Sequence, residues 1–105
     1  MLADKPANDR VRFLGNREDV GTLMRTCAVY VHCSDVEGLP LAVQEAMSYE
    51  CSVIASDIPA HRELLATPDC GLLFKHGDSD QLATQLDHLL IRINLMRKAF
   101  KMSNF

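Results

Sequence analysis

The chain predicts an α/β fold built on a parallel sheet. Two observations lead there. Residues 28–33 and 51–55 are uncharged and rich in β-branched and apolar side chains, the composition of strands buried on both faces. Stretches with helical spacing alternate with these runs, and that alternation belongs to parallel sheets crossed over by helices. A third observation sets the scale: 105 residues, 48% of them hydrophobic, suit one small packed domain.

The elements follow in order. Residues 1–10 are polar and read as a mobile lead-in, and residues 11–105 as the domain. Residues 11–14 read as a short strand ending at Gly15. Arg17, Glu18 and Asp19 open a helix whose apolar positions Val20, Leu23, Met24 and Cys27 fall at helical spacing. The strand at 28–33 leads through a loop at 34–39 into a helix from Pro40 to about residue 49. After the strand at 51–55, Ser56-Asp57-Ile58-Pro59 forms a turn before a short helix at about 60–66, which Pro68 ends. Residues 71–74 make a short strand, and 76–78 a turn. Ser79 is expected to cap a helix reaching about residue 90, with a separate amphipathic helix over about 93–102. Leu82, Leu86, Leu89 and Leu90 read as the core stripe of the helix that Ser79 opens.

Charge and composition exclude several function classes. Eleven basic and 14 acidic residues give a net charge of −3, spread without a basic block, which argues against nucleic-acid binding. No apolar run reaches membrane-spanning length, and the first residues lack the apolar core of a secretion signal. A cytoplasmic chain is the expectation. Cys27, Cys33, Cys51 and Cys70 show no C-x-x-C pairing and read as reduced, packed thiols. His32, His61, His76 and His88 show no metal-ligand spacing, and His32 reads as a satisfied core residue. Asp78-Ser79-Asp80 resembles a metal-binding D-x-D in letters only and is expected to lie away from the site described next. No metal or other cofactor is implied.

The most informative stretch is Glu37-Gly38-Leu39-Pro40, with Glu45-Ala46-Met47 following. Pro40 suits a first helical position, where its missing N–H costs nothing. A helix start carries unpaired N–H groups and partial positive charge, a ready anion site. Gly38 lets a ligand come close to the backbone. Glu45, one turn inside the helix, can accept hydroxyl hydrogen bonds from the same ligand, while Glu37 waits in the loop ahead. A ligand with phosphates, a ribose and a sugar matches that layout.

This stretch resembles the E-x7-E signature of family 4 retaining glycosyltransferases of the GT-B fold. Val11-Arg12-Phe13-Leu14-Gly15, Ser34-Asp35-Val36-Glu37-Gly38-Leu39-Pro40, Glu45-Ala46-Met47, Ser56-Asp57-Ile58-Pro59 and Gly71-Leu72-Leu73-Phe74 stand in the family's order and near its spacing. The resemblance covers roughly residues 11–100. It implies a partial Rossmann-like sheet, the C-terminal half of a GT-B donor-binding domain. Glu37 would face the donor sugar as the catalytic carboxylate. Gly38 and Leu39 would offer backbone N–H groups to the distal phosphate, with Pro40 beside them on the donor side, while Glu45 would hold the ribose and Asn16 and Arg17 would meet the base. Ser34 is expected to bond within its own loop.

The resemblance also implies a strand order 3-2-1-4-5-6, with 11–14 as strand three and the later strands as four, five and six. Strands one and two, the family's diphosphate-holding basic pair and the acceptor domain have no counterpart, and Arg17 and Arg62 do not stand where that pair does. A piece of an enzyme is therefore expected, inactive by itself. The whole enzyme would pass a sugar from a nucleotide-diphosphate-sugar, a substrate rather than a cofactor, to a glycan or lipid-linked glycan at the membrane periphery. The alternative is a non-catalytic nucleotide-binding or interaction module. With neighbouring strands missing, 11–14 would cover the exposed edge of the 28–33 strand, or the chain would self-associate, or its stability would be low.

Overall fold

The computed structural model describes residues 11–67 and 70–103, with side chains through residue 98; the expected lead-in lies outside them. Helix α1 (Val20–Thr26) is followed by β1 (Val29–His32), α2 (Leu41–Ser48), β2 (Ser52–Ser56), α3 (Pro59–Leu64), β3 (Leu72–Phe74) and α4 (Ser79–Ser103). The strands form one parallel sheet in the order β1-β2-β3. Its registers pair Val29 with Ser52 and Ile54 with Leu72. The order is consecutive, as the resemblance implies for strands four to six.

β2 is the centre, and Val53, Ile54, Ala55 and Ser56 are fully buried. Successive side chains along a strand point to opposite faces. Val53 and Ala55 accordingly join Met24, Val43, Ala46 and Leu65, under α1 and α2. Ile54 joins Phe74 and Leu89 under α4. Helices thus cover both faces, and each fully buried Val or Ile contributes about 1.5–3 kcal/mol relative to exposure.

α2 ends in a Schellman motif. The N–H of Cys51 donates to the carbonyl of Ala46 at 3.1 Å, and that of Glu50 to Met47 at 3.0 Å. Glu50 stands at φ 57, the left-handed conformation this motif requires. The turn sets the chain directly into β2.

Several expectations are corrected. Residues 11–14 form no strand, and Val11, Phe13 and Leu14 are 53%, 59% and 47% exposed. An apolar run becomes a strand only with an edge to pair on, and this one pairs with none; the edge of β1 is therefore not covered by it. β1 is half-buried along its length because, among the described residues, it pairs on one side only. The two C-terminal helices are one, since Ile91 and Arg92 offer no Gly or Pro to break it. Its cap is Asp78 rather than Ser79: the N–H of Gln81 donates to Asp78 Oδ1 at 2.9 Å. Along α4 the core-facing stripe runs through half-buried Leu82, Leu86 and Ile93 and buried Leu89, whereas Leu90 is exposed. The thiols are less packed than expected: Cys27, Cys33 and Cys70 are exposed and only Cys51 is half-buried.

Candidate functional site

All three strands are parallel, so the loops after them leave the same edge of the sheet. The loop after β1 carries Glu37-Gly38-Leu39-Pro40 into α2. Pro40 is the N-cap, one position earlier than expected, and makes no side-chain cap; its carbonyl accepts the N–H of Gln44 at 3.1 Å. Glu45 stands on the fifth helical residue and is exposed. Glu37, Gly38, Leu39 and Pro40 line one side of an open crevice, and Pro59, Ala60 and Glu63 of α3 the other. A Cβ added to Gly38 would project into open space, so the backbone there is approachable.

Glu37 is held by a polar network. Its Oε1 lies 2.9 Å from His32 Nε2 and 2.8 Å from Ser34 Oγ. A carboxylate only accepts, so Nε2–H and the serine hydroxyl donate. With Nε2–H donating, Nδ1 is left to accept from the Tyr30 hydroxyl at 2.9 Å. The bond from His32, then that from Ser34, holds the Glu37 carboxyl below the usual carboxylate range. Burial, then the charges of Glu37 and Glu45, push the Tyr30 phenol up.

The loop itself is pinned from β2. The Ser56 hydroxyl donates to the Ser34 carbonyl at 2.6 Å and accepts the Ser34 N–H at 3.1 Å. The neighbouring carbonyl of Ser56 accepts from His61 Nδ1 at 2.8 Å. His61, at the third position of α3, is fully buried, and its ring meets that of His32 edge to face at 5.4 Å. His32, Glu37 and His61 thus converge, although their sequence separations carry no ligand spacing.

The remaining expected residues divide. Ser34 bonds within its loop, as expected. Asn16 and Arg17 do not line the crevice; Arg17 makes a two-point pair with Asp19, both contacts at 2.7 Å. Glu45 does not line it either. The loop of Asp78 and Asp80 leaves the same sheet edge as Glu37, not a remote one, and His76 Nδ1 lies 3.8 Å from Asp35 Oδ1. Sequence reading missed Tyr30, Ser56 and His61. The available signal was polar residues closing apolar strands: His32 ends β1 and Ser56 ends β2.

Comparison with known proteins gives the family. The family described as glycosyl transferases group 1 matches residues 1–102. The chain belongs to the group 1 glycosyltransferases. EpsD of Bacillus subtilis, named as a glycosyltransferase, is 37% identical over 98 residues, 92% of this chain and 26% of EpsD. The lipopolysaccharide core biosynthesis mannosyltransferase LpcC of Rhizobium leguminosarum is 36% identical over 75 residues, 71% of this chain and 21% of LpcC. The phosphatidyl-myo-inositol mannosyltransferase of Mycobacterium leprae is 33% identical over 95 residues, 88% of this chain and 25% of that enzyme. The chain therefore spans about a quarter of the length of these glycosyltransferases. No solved structure matches it. Among the described residues no helix is long and apolar enough to cross a membrane.

Proposed function

We propose that this chain supplies the donor side of sugar transfer from a nucleotide-diphosphate-sugar. The observation that carries the reading is Glu37: a carboxylate pre-set by His32 and Ser34, on a loop that runs straight into a helix start at the carboxyl edge of a parallel sheet. Ligands of open α/β sheets bind at that edge. The first amides of α2, with Gly38 and Leu39 ahead of them, suit a diphosphate. Glu45 accepts ribose hydroxyls, and Asn16 and Arg17 meet the base. Glu37 orients a sugar hydroxyl and balances positive charge developing at the anomeric carbon, an effect present only in the transition state. The acceptor, a glycan or lipid-linked glycan, is met outside these residues, and a cytoplasmic chain at the membrane periphery fits the reading.

Calorimetric titration of the chain with nucleoside diphosphates and their sugars tests this. One class of base binds, and Glu45→Ala weakens binding by about 1.5–3 kcal/mol, the worth of hydrogen bonds to a charged group. Glu37→Gln weakens the nucleotide-sugar but leaves the nucleoside diphosphate unchanged. No binding of any donor or diphosphate sinks the reading. Diphosphate binding that is indifferent to both glutamates favours the alternative of a non-catalytic nucleotide-binding module.

A further inference from the structure

We infer that His32, Glu37 and His61 form a binding site for one borderline divalent metal ion, zinc being the best match. One ligand atom from each residue lies within 4.8 Å of the other two. Two imidazoles and one carboxylate make a donor set that zinc accepts, with a fourth position left to water or an anion.

The second observation is independent of that clustering. His61 is fully buried, and its Nε2 has no hydrogen-bond partner. Its Nδ1 donates to the carbonyl of Ser56 at 2.8 Å, and a carbonyl can only accept, so Nδ1 carries the proton and Nε2 the lone pair. A buried lone pair with nothing to accept is costly. It is also the state in which imidazole binds a metal, with its other nitrogen fixed on an outer carbonyl.

His32 has the same outer support. Its Nδ1 meets the Tyr30 hydroxyl at 2.9 Å. A phenol can donate or accept, so moving the ring proton from Nε2 to Nδ1 keeps that bond and frees Nε2 for the ion. The tautomer shift needs no net change in charge.

The geometry is close to what is needed. Zinc at about 2.0–2.1 Å from each ligand places tetrahedral ligand atoms about 3.4 Å apart. The His32 Nε2 to Glu37 Oε1 contact of 2.9 Å must open by a few tenths of an ångström. The widest separation in the set must close from no more than 4.8 Å, within reach of small side-chain rotations. Glu37 sits on a loop and His32 at a strand end, so both can adjust; His61, set in the core, is the fixed member. The inference does not rest on the donor-binding reading, although a bound ion and a donor sugar would compete for Glu37.

Titration of the metal-free chain with zinc against a chelating dye gives the first test. One ion per chain, held at micromolar affinity or better, is expected, together with a higher melting temperature. Glu37→Gln and His32→Gln should each weaken binding at least tenfold while the chain keeps its circular dichroism. Zinc X-ray absorption should show only nitrogen and oxygen neighbours with imidazole scattering. Sulfur in that shell assigns the ion to the cysteines and overturns the inference. So does affinity unchanged in both variants, or no stoichiometric binding below about 100 µM, well weaker than functional zinc sites hold their ion.

Discussion

Glu37 receives hydrogen bonds from His32 on the strand before it and Ser34 on its own loop, while Ser56 of the next strand fixes that loop. The placement of the two glutamates and the Gly-Pro turn around one helix start could be read from sequence, because that placement is local. Ser56 and His61 could not: they meet Ser34 and His32 across 22 and 29 positions, a proximity only the parallel register creates. Gly38 separates binding from folding. Its added Cβ meets nothing, so Gly38→Ala should leave stability unchanged or raise it by about 0.4–1 kcal/mol. On the proposed donor-binding reading the same methyl would stand where a phosphate approaches, so affinity for a nucleoside diphosphate should fall severalfold. Equal affinities by calorimetry would remove Gly38 from the site. Cys51 offers a test in pH. Burial, then the hydrogen bond with Cys27 at 3.3 Å, pushes its thiol from the ordinary 9.0 up to about 11. The unfolded chain therefore loses that proton first, and the folded state's advantage is intact below pH 9 and lost as pH rises towards 11. The urea midpoint should fall across that window, and Cys51→Ala should flatten the fall. Parallel curves for both proteins would contradict it.

At the scale of elements, strands and helices were legible wherever one chain segment determines itself. The unbroken apolar run that marks β2 can be read because both faces are covered, and Pro59 starts α3 because its fixed φ suits a first turn. Residues 11–14 have the composition of a strand, but strand formation depends on a partner the segment itself does not supply. The break expected within α4 failed for the opposite reason, since amphipathic drift alone does not interrupt a helix. Two junctions carry predictions of opposite sign. Glu50 holds a left-handed conformation that glycine adopts without strain, so Glu50→Gly should stabilise by about 0.5–1 kcal/mol. Gly71, at the start of β3, faces the Val53 carbonyl, where an added Cβ would come within 2.6 Å, and Leu65 at 3.0 Å. Gly71→Ala should therefore destabilise by about 1–3 kcal/mol, the cost of overpacking. Denaturant melts decide both; a shift of the same sign in the two variants would contradict the junction geometry.

The molecule as a whole is looser than its length requires. A compact chain of this size has a radius of gyration of about 13 Å, against 15.1 Å here. Val11, Phe13 and Leu14 are exposed, and so are Leu90, Ile91, Leu95 and Met96 on the outer half of α4. Among the described residues the outer edges of β1 and β3 are unpaired, and β3 is only three residues long. An unpaired edge with exposed apolar surface nearby invites a second chain. A net charge of −3 is too small to prevent contact by repulsion. Low stability follows from the same inventory, because the ten buried hydrophobic residues among those described must offset a backbone entropy cost of about 1–2 kcal/mol for each residue ordered. The 105-residue chain should therefore sediment with an average mass that rises with concentration, and its unfolding midpoint should rise alongside, since association stabilises the folded form by mass action. Leu95→Lys together with Met96→Glu should lower the association without lowering the midpoint of the dilute protein, because both side chains are solvent-facing already. A monomer at every concentration with a high, concentration-independent midpoint would show that these surfaces neither weaken the fold nor attract a partner copy.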